Sequence, residues 1–182
     1  YYKPRIDLEH MKEYTEGLIC TTACVGGYAP QMILENNIDL AVSHIEELQE
    51  MFGEDLYLEI QPGSFKEQIE VNNGLLAIAQ ERKIKIIATN DVHYVEKKDW
   101  KTHDFHIRIQ RKLKAPENED ESIYEDKIYY MMSREELFNS FNPELYDSNT
   151  INQALDNTIE LANKVEEYNF NADKLNLPEF KC

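Results

Sequence analysis

The residues of this chain that are best suited to chemistry lie in the segment ATNDVHY, residues 88–94. A run of residues typical of a buried strand ends there and is followed at once by Asp91 and His93. Because side chains at positions i and i+2 of an extended chain point to one side, this carboxylate and this imidazole could bind one metal ion. Cys24, which follows another short strand-like run, could add a thiolate. These donors suit zinc, manganese or iron, and the sulfur favours zinc.

Each of these residues also has an ordinary structural explanation. An Asp-x-His pattern is more often a turn carboxylate beside a surface histidine, and a lone cysteine is usually a small buried apolar residue. Glu59 belongs to a strand-like run, where its position alone does not separate a carboxylate that supports metal ligands from one that faces solvent. His103 and His106 lie one helical turn apart, with Asp104 between them, and could mimic a metal-binding pair. A pair on a helix surface explains them more readily.

Other motifs narrow the range of enzyme classes. A basic run, RIQRKLK at residues 108–114, could contact phosphates, but such runs usually form exposed faces. The sequence contains no glycine-rich phosphate loop, no G-x-S-x-G nucleophile motif, no H-E-x-x-H zinc motif and no pair of C-x-x-C motifs. It therefore offers no support for the enzymes that depend on those motifs.

The segments that would position these residues alternate between strand and helix patterns. Strands are predicted at three places, over 17–22, 56–61 and 85–89. A helix that ends at Gly53 is predicted from one apolar stripe, formed by Ala41, Ile45, Leu48 and Phe52. The next helix is predicted to begin at a capping box of Ser64 and Glu67. This alternation favours a parallel sheet or barrel, whose strands would present their carboxyl ends on one face.

The second half of the sequence is mainly helical. A helix is predicted over 98–111, and the acidic stretch 117–126 is expected to form a solvated loop. A short strand-like segment at 128–132 precedes a helix whose predicted capping box is Ser133 and Glu136. A last amphipathic helix follows, and its apolar stripe consists of Ile151, Ala154, Leu155, Thr158, Leu161, Ala162 and Val165.

Composition limits the setting in which this chain works. The 182 residues suffice for one compact domain or a piece of a larger one, and their formal charge of -16 argues against a non-specific nucleic-acid binder of the basic-patch kind. The mean hydropathy of -0.62 and the lack of a long apolar run exclude a transmembrane span. Three cysteines without regular spacing, and no signal-peptide pattern, indicate a reducing, cytoplasmic compartment. Since the first residue is Tyr1, we expect a fragment.

The order and separations of several motifs resemble those of one protein family. These motifs are GLICTTACVGG at 17–27, LYLEIQ at 56–61, ATNDVHY at 88–94, His103-Asp104 with Ile109-Gln110, LDNTIELA at 155–162 and LPEF at 177–180. Together they resemble the bacterial DNA polymerase III alpha subunit, in the later part of its N-terminal polymerase-and-histidinol-phosphatase (PHP) domain. The resemblance covers essentially the whole chain. The ATNDVHY segment is closer to the form that lacks an inserted proofreading exonuclease.

The resemblance implies an α/β fold, a partial, distorted (β/α)7 barrel of the PHP type. It assigns residues 1–145 to the PHP domain, and residues 146–182 to a helix and linker that lead toward the polymerase palm. It also implies that Cys24, Asp91 and His93 are the PHP metal ligands within this chain, the others lying before residue 1. Zinc or manganese is expected at that site, and magnesium at a polymerase site outside the chain.

The function implied for the parent is that of a replicative DNA-directed DNA polymerase, a nucleotidyltransferase. Metal-dependent 3′-5′ exonuclease proofreading is expected in its PHP region, whereas the fragment alone is expected to be inactive. The implied partners are DNA, deoxynucleotides, the sliding clamp and a proofreading subunit, with no membrane. Two alternatives stay open: a structural PHP module without catalysis, and a free-standing PHP phosphoesterase.

Overall fold

Three short parallel strands form a small sheet in a computed structural model, which describes residues 5–118, 121–124 and 126–167. The strands are β1 (Cys20–Thr21), β2 (Leu56–Ile60) and β3 (Lys85–Ala88), and they lie side by side in that order. In the register of the sheet, Thr21 is opposite Tyr57 and Ile60 is opposite Ala88. The predicted α/β class with a parallel sheet is therefore confirmed. The closure and distortion of a (β/α)7 barrel stay predictions.

Helices flank the sheet and connect its strands. The helices of the described residues are α1 (Leu8–Met11), α2 (Tyr28–Leu34), α3 (Ile38–Phe52), α4 (Lys66–Arg82), α5 (Trp100–Arg111), α6 (Arg134–Ser140) and α7 (Ser148–Lys164), with short 3-10 turns at Gly53–Asp55 and Lys97–Asp99. None of the helices in this described part is both long and apolar enough to cross a membrane.

The core lies around the central strand β2. Four of its residues are at most 2% exposed, namely Leu56, Tyr57, Leu58 and Ile60. Such burial on both faces is typical of a parallel strand covered by helices. The predicted stripe of α3 is confirmed, since Ala41, Ile45, Leu48 and Phe52 are all buried. Gly53 ends this helix at a φ of 55°, a conformation that glycine adopts without steric cost.

The predicted start of α4 is wrong, whereas that of α6 is right. Helix α4 begins after Phe65 without a side-chain cap, because the backbone nitrogen and the hydroxyl of Ser64 both bind the Asp126 carboxylate. At α6, Ser133 and Glu136 form the expected reciprocal capping box. A capping box is a local pattern, so a distant partner such as Asp126 can take its serine away.

Helix α7 covers the edge of β3 that does not face β2. The hydroxyl of Thr158 donates to the carbonyl of Ala88 at 2.9 Å and accepts from its N–H at 3.2 Å. The Asn157 amide donates to the carbonyl of Ile86 at 2.7 Å. These bonds satisfy strand groups that would otherwise lie unpaired at a sheet edge.

Part of the predicted α7 stripe is correct. Ile151, Ala154 and Leu155 are buried, whereas Ala162 is exposed and Val165 lies just beyond the helix with 61% exposure. The LPEF segment falls outside the described residues, and the division of the chain at residue 145 stays a prediction.

The second half of the chain differs in detail from the prediction. Helix α5 is confirmed, but segment 128–132 forms only a single bridge, between Tyr130 and Tyr94, instead of a strand. The described residues of the acidic stretch, predicted to be a solvated loop, fold against α5 through an ion pair between Glu121 and Arg108. This stretch is therefore part of the structure around the strand ends.

Candidate metal site

The three predicted ligands follow the carboxyl ends of strands that share one sheet. Cys24 lies three residues after β1, and Asp91 and His93 lie three and five residues after β3. Because β1 and β3 are both parallel to β2, their carboxyl ends meet at the same edge. Asp91 and His93 belong to the loop after β3, and Cys24 belongs to the loop after β1.

The orientation of His93 is fixed by hydrogen bonds to two backbone carbonyls. Its Nδ1 lies 2.6 Å from the carbonyl oxygen of Asp91, and its backbone N–H donates to the carbonyl of Tyr129 at 2.8 Å. Since a carbonyl only accepts, the ring proton is on Nδ1 and the Nε2 lone pair is available. The Asp91 carboxylate is 3.9 Å from Nδ1, and both side chains are about 40% exposed, at 39% for His93 and 43% for Asp91. This pair therefore offers an imidazole nitrogen and a carboxylate to a cation.

Cys24 lies in a tight loop between β1 and α2. Its carbonyl accepts from the N–H of Gly27 at 2.8 Å, and Ala23 adopts a left-handed conformation with a φ of 58°. A Cβ on Gly27 would lie 2.3 Å from the carbonyl oxygen of Thr22, so glycine is required for this close approach. Cys24 itself is half-buried. The loop geometry is thus set by the backbone around the thiol.

Within the described ranges, no three His, Cys, Asp or Glu side chains gather closely enough to hold a metal ion. The structure joins Asp91 to His93 and leaves Cys24 outside such a cluster, although it follows the same edge of the sheet. The donor atoms of the pair, a carboxylate oxygen and an imidazole nitrogen, are of types that divalent metals bind. The assignment of all three residues as ligands stays a prediction.

Asp91 and His93 also line a cavity of about 330 Å³. Its walls include Phe65 beside the start of α4, and Tyr124 and Tyr129 from the segment that precedes α6. Asp126 lines it too, and its two oxygens accept from the backbone nitrogen and the hydroxyl of one serine, at 2.7 and 2.6 Å. No local sequence pattern distinguishes Asp126 from the other acidic residues of the stretch 117–126.

Aromatic and imidazole rings pack around His93. The ring of His103 lies 5.2 Å from that of His93, 5.3 Å from that of Tyr94 and 6.0 Å from that of Tyr124. Tyr129 meets the His93 ring edge-on at 5.3 Å. His103 is therefore a packing partner of the candidate ligand, and its explanation as a helix-surface residue is wrong.

Burial shifts the pKa values of two members of this ring cluster. Burial, followed by the nearby His93, lowers the pKa of His103. Burial raises the pKa of Tyr129 to about 12, and the neighbouring carboxylates of Asp126 and Asp91 contribute. The Tyr129 hydroxyl is therefore neutral near pH 7 and can donate a hydrogen bond.

His106 lies outside this ring cluster. It is exposed on α5, and its Nε2 lies 3.0 Å from the amide nitrogen of Gln110.

A buried ion pair holds the loop over this region. Arg108 Nε donates to Asp104 at 2.6 Å, and its guanidinium also binds Glu121 at 2.9 Å. The other Asp104 oxygen accepts from the N–H of Ile123 at 2.6 Å. Burial raises the pKa of Asp104, but the hydrogen bonds from Ile123 and Arg108 outweigh it and leave that pKa below its ordinary value. Arg108 is thus a structural residue, neither a phosphate contact nor part of an exposed face.

The position of Glu59 is resolved by its hydrogen bonds. Its carboxylate accepts from the hydroxyl of Thr21 at 2.7 Å, from the hydroxyl of Thr89 and from the amide of Gln61 at 3.0 Å. These residues belong to the three strands or follow them directly. Glu59 therefore joins the carboxyl ends of the strands just before the loop that carries Asp91.

Known proteins have sequences similar to that of this chain. A family model described as "PHP domain" matches residues 1–63. The DNA polymerase III subunit alpha of Borreliella burgdorferi is 34% identical over 181 residues, which cover 100% of this chain and 15% of that protein.

Two further relatives carry the same name. The subunit of Thermus aquaticus is 35% identical, and the match covers 89% of this chain and 13% of that protein. The subunit of Aquifex aeolicus is 39% identical, and the match covers 62% of this chain and 10% of that protein. The chain spans between 10% and 16% of the length of the curated relatives that it matches. Sequence and fold together place this chain in the DNA polymerase III alpha subunit family, as a part of its PHP region.

Proposed function

We propose that Asp91 and His93 are ligands of a divalent metal ion in the PHP region of a replicative DNA polymerase. The observation that carries this proposal is the hydrogen bond from His93 Nδ1 to the Asp91 carbonyl, which leaves Nε2 as the free ring nitrogen, together with the Asp91 carboxylate 3.9 Å from Nδ1. A second partner that fixes the tautomer and the ring orientation is typical of metal-binding histidines. The position of the pair, where a strand of a parallel sheet ends, supports the same function.

Cys24 is proposed as a third ligand, and the remaining donors would come from outside this chain. Zinc or manganese is the proposed ion, since carboxylate, imidazole and thiolate suit both, with sulfur favouring zinc. When bound, such an ion supplies an activated water and stabilises charge on a phosphodiester. The roles of this chain are to orient His93 through the carbonyls of Asp91 and Tyr129 and to anchor the strand ends through Glu59.

The proposed activity of the complete protein is DNA synthesis with 3′-5′ exonuclease proofreading in the PHP region. The names of the relatives support the polymerase part of this proposal. DNA, deoxynucleotides and other replisome subunits are the proposed partners, and magnesium is the proposed cofactor of the polymerase site.

The test uses the full polymerase that carries this chain as its PHP segment. His93→Gln, Asp91→Asn and Cys24→Ser are each expected to reduce bound metal and to lower exonuclease activity on a 3′-mismatched primer by at least tenfold. Metal content is measured by elemental analysis and polymerase activity on a matched primer in parallel. The matched control is His106→Gln, because His106 is an exposed histidine on α5 outside the site.

The pattern of metal content and exonuclease activity across the four variants separates the candidate functions. A metal-free polymerase whose exonuclease activity is the same in all four variants would replace this proposal with a structural PHP module. Loss of metal and exonuclease activity with Asp91→Asn and His93→Gln, but not with Cys24→Ser, would remove the cysteine alone from the ligand set.

A further inference from the structure

We propose that the cavity beside Asp91 and His93 is a subsite for a nucleobase, namely the base of the terminal nucleotide of single-stranded DNA. This inference rests on the proposed function, because it assigns to this cavity the base of the nucleotide that the proposed site would act on. The carrying observation is a cavity of about 330 Å³ with aromatic walls that opens next to the candidate ligands. That volume lies at the lower end of the about 300–1,000 Å³ typical of small-molecule pockets.

The walls of the cavity are suited to a flat, apolar-faced group. Phe65, Tyr124 and Tyr129 supply aromatic rings from two separate parts of the chain, and Pro62 adds an apolar surface. Stacking of a base on an aromatic side chain is a common way to bind single-stranded nucleic acid without sequence preference. The cavity therefore has the surface that a base requires.

The charges of the cavity favour a base over a phosphate. Asp91 and Asp126 both line it, and no lysine or arginine is among its lining residues in the described part of the chain. An anionic group placed there would be repelled by two carboxylates, whereas a neutral heterocycle would not be. The phosphate of a bound nucleotide would instead need the cation proposed at Asp91 and His93.

The cavity is built from groups that are held in place. The rings of Tyr124 and Tyr129 lie 5.3 Å apart, and Tyr129 also meets His93 edge-on at 5.3 Å. The Asn90 amide donates to the carbonyls of Ile128 and Tyr130, each at 2.9 Å. Because this arrangement exists before binding, little ordering is required when a ligand enters.

Polar groups at the cavity could bind the edge of a base. The Asn90 nitrogen is already used by two carbonyls, so its oxygen is the part that can accept a hydrogen bond. The hydroxyl of Tyr129 can donate one. Since every base carries both donors and acceptors on its edge, these groups would orient a base without selecting one strongly.

The test is a titration of the 182-residue chain with thymidine and with deoxyadenosine, followed by amide NMR in the presence of a chelator. Nucleosides carry no phosphate, so this binding does not require the proposed metal. We expect saturable shifts at Tyr124 and Tyr129, and little response there to inorganic phosphate. Tyr129→Leu should weaken nucleoside binding about fivefold or more, whereas Tyr129→Phe, which keeps the ring, should retain it.

The control variant is Phe105→Leu, because Phe105 is 54% exposed on α5 and does not line the cavity. If Tyr129→Leu loses its amide dispersion, Tyr124→Leu provides the same comparison. The proposal is overturned if nucleosides produce no shifts at the cavity, if phosphate produces equal ones, or if the leucine variant binds as well as the wild type. Metal content and exonuclease activity are measured separately, so the proposed function can fail while the subsite holds, and the reverse.

Discussion

Two regions of this molecule are stabilised in different ways. The region around β2, α3 and α4 is held by apolar side chains, many of them almost completely buried. The region of residues 90–131 is held by a few polar bonds and by rings around His93, and several of its residues are only half-buried. Burial of apolar side chains can stabilise a strand that helices cover completely. Loops at the end of a strand are less buried, so they need specific hydrogen bonds and ring contacts to hold one conformation.

The comparison shows how the candidate site is connected to the fold. The apolar region determines where β3 ends, and the polar region determines how Asp91 and His93 are presented after that end. Substitutions of buried residues in the first region should therefore destabilise the whole chain. Substitutions in the second should loosen the loops over the site with a smaller cost in global stability.

The largest effect is expected from Leu58→Ala. Leu58 is completely buried in the central strand, so the variant should lose about 2–5 kcal/mol of unfolding free energy from lost burial and the remaining cavity. Urea denaturation followed by circular dichroism measures this loss. Leu40→Ala is the matched control, because Leu40 is 51% exposed on α3 and should change stability by less than about 0.5 kcal/mol. Equal losses in both variants would contradict the assignment of β2 as the centre of the core.

A smaller effect is expected from Asp104→Asn. The variant keeps the shape of the side chain but removes the charge that binds Arg108 and the Ile123 N–H, so we expect a loss of about 1–3 kcal/mol. Hydrogen exchange should show faster opening of residues 121–124 than of α3. If both regions open equally, the ion pair belongs to the global fold instead of to the loop.

The dependence of this effect on pH has a definite sign. The pKa of Asp104 is lower in the folded chain than its ordinary value of 3.8, so its ionised form stabilises the fold above that pH. This stabilisation is lost as the pH falls through the lowered pKa. The difference in unfolding free energy between wild type and Asp104→Asn should thus be full near pH 7 and shrink below about pH 4. A difference that is constant down to pH 2 would contradict the ion-pair explanation.

The smallest effect is expected from Ser64→Ala. The variant loses the hydroxyl bond to Asp126 and keeps the backbone one, so unfolding free energy should fall by about 0.5–1 kcal/mol. Amide exchange near residues 121–128 should become faster while that of β2 stays the same. Ser140→Ala, which removes another hydroxyl bond outside the site, is the control. Faster exchange of this segment in the control as well would exclude a specific role for the serine.

Much of the framework could be predicted from local patterns. The apolar stripe of α3 and the capping box of α6 depend on residues three or four positions apart, and both are present in the structure. The capping box expected for α4 failed because Ser64 binds Asp126, a residue 62 positions away. The stripe of α7 failed at its end, where Val165 is exposed because the helix stops at Lys164.

Only part of the candidate site could be predicted from local sequence patterns. The pairing of Asp91 with His93 follows from their spacing after a strand, and the structure brings them together. The ring contacts of His103 and the ion pair of Arg108 were not predicted, because α5 and the segment before α6 had to be packed over the strand ends first. A charge pattern does not reveal which of its members will be buried.

The sequence by itself determined the alternation of strands and helices, the parallel sheet and the place of Asp91 and His93 after its third strand. These features depend on the periodicity of apolar residues and on residues close together in sequence, and both can be identified without knowing how the chain folds. Only the tertiary structure decided that Asp126 anchors to Ser64, that α7 covers the edge of β3, and that aromatic walls enclose a cavity beside His93. Such contacts join residues far apart along the chain, so they exist only once the core has brought those segments together.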